Sequence, residues 1–215
     1  MNLYEKIAAC KKTEDFESLK NEIKDTFQRE EYGYFPEKPL SVSGEVVSSE
    51  ETMAGKTVLE KIKLTLVLNG GEFSFPFWYC YPKKKNNKTV VLLNFRNCFP
   101  DKYLPAEEVT DDGWAVADVC YNDVTSDDND FTNGIAALFD RKKEGAAGKI
   151  VMWAYAAMRI ADYLETRAET DMNNLAVAGH SRLGKTALVT AAFDDRFKFC
   201  HSNCSGTCGA AAFFM

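Results

Sequence analysis

Gly179, His180, Ser181, Arg182, Leu183 and Gly184 have the residue types and spacing that chemistry would use. Before them Leu175, Ala176, Val177 and Ala178 form an apolar run of strand length, and after them Lys185 to Phe193 reads as a helix rich in Ala and Leu. A serine at the apex of such a strand-to-helix turn is pushed into a strained backbone conformation. The neighbouring chain must also approach without Cβ clashes, which accounts for the small flanking residues. The hydroxyl is then exposed over a helix N-terminus, whose N–H groups and dipole can hold the oxygen anion formed when a carbonyl is attacked. This is acyl-transfer geometry. The pattern departs from Gly-x-Ser-x-Gly, because Leu183 takes the second glycine position and Gly184 follows one residue later. The competing reading is an ordinary turn in which Ser181 caps the helix.

The surrounding elements read as a scaffold for that turn. Thr89 to Phe95 and Trp114 to Tyr121 are continuous apolar runs of the buried, parallel type. Between Gly145 and Glu169, Ile150, Trp153, Ala154, Ala157, Ile160, Ala161 and Leu164 fall at helical spacing, and Phe199 to Asn203 reads as the strand after the turn. Strand, helix, strand, turn, helix, strand is a doubly wound α/β order. From Val42 to Tyr81 the pattern alternates, as in Lys61 to Leu68, and Asn69 Gly70 Gly71 breaks it, which predicts an antiparallel hairpin. Residues 37–44 read as a connector. Leu3, Ile7, Phe16, Leu19, Ile23 and Phe27 lie on one face of a charged helical arm spanning residues 1–30, with an α/β domain over 31–215.

The run Ala178 to Leu188, followed by Asp194 Asp195 Arg196 Phe197 and Ser205 Gly206, resembles the glucuronoyl esterases of carbohydrate esterase family fifteen, which are α/β-hydrolases often labelled acetylxylan esterases. Tyr32 Gly33 Tyr34 Phe35 Pro36, Leu93 Asn94 Phe95, Gly113 to Ala117 and Asp162 to Thr166 fit the same family in the same order. The resemblance implies an α/β-hydrolase-type three-layer sandwich with a mostly parallel sheet and an antiparallel N-terminal hairpin, incomplete at the C-terminal end. It implies Ser181 as nucleophile, Arg182 supporting the oxyanion through side chain and backbone N–H, and Lys185 contacting sugar hydroxyls. An always-charged guanidinium suits the oxyanion role. It also implies a carbohydrate ester as substrate, with 4-O-methyl-glucuronoyl esters ahead of acetyl esters. Asn97 lies in the loop after the first parallel strand, where such hydrolases place a second oxyanion N–H, although a polar loop residue without a role is an equal reading.

The serine has no evident base. His180 is adjacent to Ser181 in the turn, so its ring is expected to point elsewhere, and His201 lies in the next strand, too early for a catalytic loop. Some family members carry a glutamate where this chain has Cys204, and the family domain continues beyond the position of Met215. The expectation is therefore a truncated chain, nearly inactive by itself or a non-catalytic remnant. Cys200, Cys204 and Cys208 with His201 are spaced too widely for a common zinc pattern and read as thiols, so no metal and no cofactor enters. Asp123, Asp127 and Asp128 read as water-facing loop acids.

A net charge of −6 gives no basic patch for nucleic acid apart from Lys83, Lys84, Lys85 and Lys88, which with Asn86 and Asn87 read as a solvated turn. Lys6, Lys11 and Lys12 interrupt any signal-like apolar stretch, and no run reaches membrane-spanning length. Together with seven cysteines in no framework spacing, this points to a cytoplasmic chain, or a secreted one whose signal has been removed. The sequence does not specify an oligomeric state.

Overall fold

The computed structural model describes residues 2–102 and 104–210. A seven-stranded mixed sheet runs through it: β1 (Ser41–Thr52), β2 (Thr57–Leu68), β3 (Gly71–Pro82), β4 (Asn87–Asn94), β5 (Trp114–Cys120), β6 (Thr170–His180) and β7 (Phe197–Asn203). The strand order is β1-β2-β3-β5-β4-β6-β7. The first four pair antiparallel, whereas β5, β4, β6 and β7 pair parallel. The expected hairpin is thus a three-stranded meander. In β2 the period of two is plain: Ile62, Leu64 and Leu66 are fully buried while Lys63 and Val67 face out.

Three layers form, in agreement with the expected α/β sandwich. Helices α5 (Lys149–Leu164) and α6 (Arg182–Phe193) pack on each other and on one sheet face. Short α3 (Ala106–Asp111) covers part of the other face, beside Val90 and Leu92. Helix α5 is apolar nearly all round, and 13 of its residues are buried, as a helix roofed on several sides requires. The remaining helical pieces are α1 (Leu3–Ala9), α2 (Thr13–Phe27), a π-helical turn over Gln28–Tyr32, the single turn α4 (Tyr121–Val124) and a 3-10 turn over Gly134–Leu138.

The N-terminal arm is helical, as expected, and consists of two helices. Asn2 and Glu5 form a capping box for α1, and the Asp15 carboxylate takes the backbone N–H groups of Lys11 and Lys12, which fixes a break between α1 and α2. None of its described residues is buried, and Phe16 and Phe27 stay exposed. The lysine-rich turn also differs from expectation. Asn87 is fully buried, and its Nδ2 donates to the carbonyls of Pro82 (3.2 Å) and Lys84 (2.8 Å), so this asparagine closes the turn between β3 and β4.

At the sheet end away from Ser181, Arg167 forms an ion pair with Glu60 at 2.8 Å and donates to Tyr163 Oη at 2.8 Å. Its guanidinium lies 5.6, 5.8 and 5.7 Å from the ring centroids of Tyr79, Tyr81 and Tyr163. Removing one partner of a buried pair strands the other charge. Arg167→Ala is expected to lower the unfolding free energy by about 3–5 kcal/mol, read from the urea midpoint at constant m-value.

Candidate active site at the β6–α6 turn

Ser181 joins β6 directly to α6 with φ 57° and ψ −125°, the backbone of the first central residue of a type II′ turn, a position that normally takes glycine. The surrounding chain leaves it no alternative. Its N–H donates to the Asn203 carbonyl at 2.8 Å, and its own carbonyl accepts the Lys185 N–H at 3.2 Å. A Cβ on Gly179 would come within 2.2 Å of the Leu183 carbonyl oxygen, and one on Gly184 within 2.9 Å of the Asn203 carbonyl oxygen. The displaced glycine is therefore explained by packing. Gly184 lets α6 close on the end of β7, where Ser202 Oγ also donates to the Gly184 carbonyl at 3.0 Å.

The residues expected to act with Ser181 are gathered only in part. Arg182 opens α6, so its backbone N–H belongs to the first turn, where helical N–H groups lack intrahelical acceptors. Its guanidinium pairs with the Asp127 carboxylate and lies 5.8 Å from the Phe95 ring centroid. Phe95 stands edge-on to Tyr121 (5.5 Å) and His180 (6.4 Å), and Tyr121 in turn to Trp153 (5.2 Å), forming an aromatic wall at the carboxyl ends of the strands. Lys185 is half-buried one turn into α6. Asn97, in the loop after β4, donates through Nδ2 to Asp123 at 2.6 Å.

Two of the loop acids do more than face water. Asp127 neutralises Arg182, and Asp123 is half-buried against Asn97, its carboxyl pushed up by burial and held back by the Asn97 amide and Lys61. Trp153 Nε1 anchors this loop by donating to the Thr125 carbonyl at 3.1 Å. Asp128 is fully exposed, as expected, with its carboxyl held down by Ser126 Oγ and the Asp130 N–H. The loop's place after the second parallel strand is legible in the sequence; the pairing of its acids with Arg182 and Asn97 is not. The loop follows a parallel strand, so its side chains arrive at the carboxyl ends where Ser181 sits. A cleft of about 340 Å³ between Tyr32, Asp127, Lys149, Trp153 and Arg182 opens beside the turn.

Neither histidine bonds to Ser181. Both are exposed, and both line a cavity of about 840 Å³ on the α3 side of the sheet. Among the described residues, Ser181 Oγ has no side-chain hydrogen-bond partner. Cys204 is exposed with φ 49°, and among the described residues no group of three His, Cys, Asp or Glu side chains gathers for a metal, Cys200 and Cys208 included.

A strained non-glycine residue costs about 1–3 kcal/mol. Ser181→Gly is expected to raise the unfolding free energy by about 1 kcal/mol, whereas Ser181→Ala, which keeps the strain, should leave it within about 0.5 kcal/mol of wild type. Paired urea melts check this.

The family model described as glucuronyl esterase, fungi, matches residues 64–215. A carbohydrate esterase from an unknown prokaryotic organism is 43% identical over 105 residues, covering 46% of this chain and 24% of the relative. A 4-O-methyl-glucuronoyl methylesterase of Podospora anserina is 28% identical over 204 residues, covering 91% and 38%. The solved glucuronoyl esterase from Solibacter usitatus superposes with a TM-score of 0.81 at 25% identity, covering 93% of this chain and 61% of that one. The chain thus spans less than two thirds of the length of each of these relatives.

Proposed function

The chain belongs to the glucuronyl esterase family, and on that premise we propose that it carries the nucleophile and oxyanion half of a serine carboxylesterase acting on carbohydrate esters, glucuronoyl esters foremost. The observation that carries the reading is the backbone of Ser181: a serine held at φ 57° between a buried strand and a helix N-terminus. Such strain persists where the surroundings enforce it, and it projects Oγ above the first-turn N–H groups.

In this reading Ser181 Oγ adds to the ester carbonyl while its proton passes to a base that the described residues do not supply; the same proton leaves with the alcohol as the tetrahedral intermediate collapses to an acyl-serine, which water then hydrolyses. The Arg182 N–H and guanidinium face the developing oxyanion, with the backbone N–H of Asn97 on the opposite side. Asp127 fixes the guanidinium before substrate arrives. Lys185, one helical turn along, is the donor to sugar hydroxyls, and the cleft bounded by Tyr32, Trp153 and Arg182 receives the ring. The cleft carries both signs, Arg182 and Lys149 beside Glu31 and Asp127, a polar lining that suits the hydroxyls of a neutral sugar ester.

One observation favours a second reading, a chain that binds carbohydrate esters without turning them over: Ser181 Oγ has no base bonded to it among the described residues. Hydrolysis of a methyl glucuronate ester, compared with an acetylated xylose, separates the possibilities. The first reading expects faster cleavage of the glucuronate ester, abolished in Ser181→Ala and reduced about 10²-fold in Arg182→Ala, the usual loss for one oxyanion donor. Faster acetate release would reassign the substrate. Binding with no cleavage of either would favour the second reading.

A further inference from the structure

The carboxyl end of β4 holds a buried cluster that the proposed chemistry leaves unused. Asp118, within β5, is 2% exposed and lies opposite Leu92 of β4 and Trp78 of β3. Its Oδ2 accepts from Asn94 Nδ2 at 3.2 Å, while its Oδ1 is buried with no hydrogen-bond partner. The same Asn94 amide reaches Asp101 Oδ2 at 3.4 Å, so two buried carboxylates share one NH2 group. Asn94 Oδ1 accepts the backbone N–H of Arg96 at 3.3 Å. Arg96 in turn grips Asp101 with Nε at 2.6 Å and Nη2 at 2.7 Å. Asn94 thereby ties the floor of the sheet to both ends of the loop over residues 95–101, with Asn97 between them.

Two carboxylates on one amide do not both ionise without cost, and only a nearby cation offsets it. Arg96 lies on Asp101, and Asp118 has the neutral Asn94 amide. Protonated, Asp118 gives the loop a neutral floor; ionised, it sets an unsatisfied buried anion against Asp101. We propose that protonated Asp118 is a positioning residue for the 95–101 loop, acting through Asn94 and Asp101, and that its ionisation loosens the loop that presents Asn97 to Ser181. The catalytic consequence rests on the esterase reading above; the coupling of Asp118 to the loop does not.

Burial first, then Asp101, push the Asp118 carboxyl up to about 7, against the Asn94 hydrogen bond and Arg96. The other groups around it do not replace that balance: His180 and His201 are exposed and line the cavity with Asn94, Arg96 and Asp101, but neither bonds to Asp118. Lys61 lies 5.1 Å from the Trp78 ring centroid, Cys120 is a buried thiol pushed up by its own burial, and Lys102 is exposed. On α3, Glu107 and Asp111 turn to Lys56. Because the folded-state value lies above the ordinary 3.8, the protonated form is the one that folding favours. Its contribution is complete below about pH 4 and is lost as pH rises through about 7.

The test is carboxyl-carbon and amide NMR of the full chain from pH 5 to 9. The expected result is that the Asn94 side-chain amide and the backbone amides of Arg96 and Asn97 shift with the same midpoint as the Asp118 carboxyl. Asp118→Asn should hold them at their low-pH positions throughout. Loop signals that stay flat while Asp118 titrates, or that titrate unchanged in Asp118→Asn, would overturn the proposal; if that variant does not fold, His180→Gln decides, since the loop shifts must persist there with the Asp118 midpoint and their loss would overturn the proposal. None of these signals depends on ester turnover, so a coupled loop in a protein that cleaves no ester would sink the function and leave the positioning role standing.

Discussion

The geometry of this protein depends on the closeness of three chain segments: the end of β6, the first turn of α6 and the end of β7. Gly179 lies against the Leu183 carbonyl, Gly184 against the Asn203 carbonyl, and the Ser181 N–H is spent on that same Asn203 carbonyl. These contacts over-determine the Ser181 backbone, which local preference alone would relax. Strain of this kind is stable only when packing elsewhere supplies the difference. Here the supply is the fully buried apolar layer of Val91, Leu93, Leu175, Val177, Leu183 and Ala187 between sheet and helices.

From that fixed point the site assembles by proximity at the carboxyl ends of the parallel strands. Strand β4 delivers Phe95 and Asn97, the loop after β5 delivers Asp123 and Asp127, and α6 delivers Arg182 and Lys185. The charges are arranged in neutral pairs, Arg182 with Asp127 and Arg96 with Asp101, so the cationic groups can be held close to the turn without mutual repulsion. Beneath the loop, Asp118 is the exception, a carboxyl without a cation of its own.

Much of this is legible in the residues. The alternation in Lys61 to Leu68 predicts β2, the spacing of Trp153, Ala157, Ile160 and Leu164 predicts α5, and the glycines around Ser181 predict a tight strand-to-helix turn. These features are local, so periodicity and backbone sterics reveal them. What escapes a reading of the residues is set by distant partners. Asn87 looks like a surface residue among lysines until the carbonyls of Pro82 and Lys84 turn toward it. Asp127 looks like a loop acid until α6 brings Arg182 to it, and Asp118 is one polar letter in an apolar strand whose meaning appears only with Asn94 and Asp101 in place. The arm breaks into two helices because Asp15 caps α2 from within, a choice that amphipathic spacing does not register.

Whether the enforced turn makes Ser181 a nucleophile is read by peptide mapping after the folded chain has reacted with a fluorophosphonate probe. The expected result is a single phosphonyl adduct on Ser181, lost when the protein is unfolded in urea before the probe is added. Absence of that adduct in folded protein, or equal labelling of folded and unfolded chain, would contradict the role assigned to the turn.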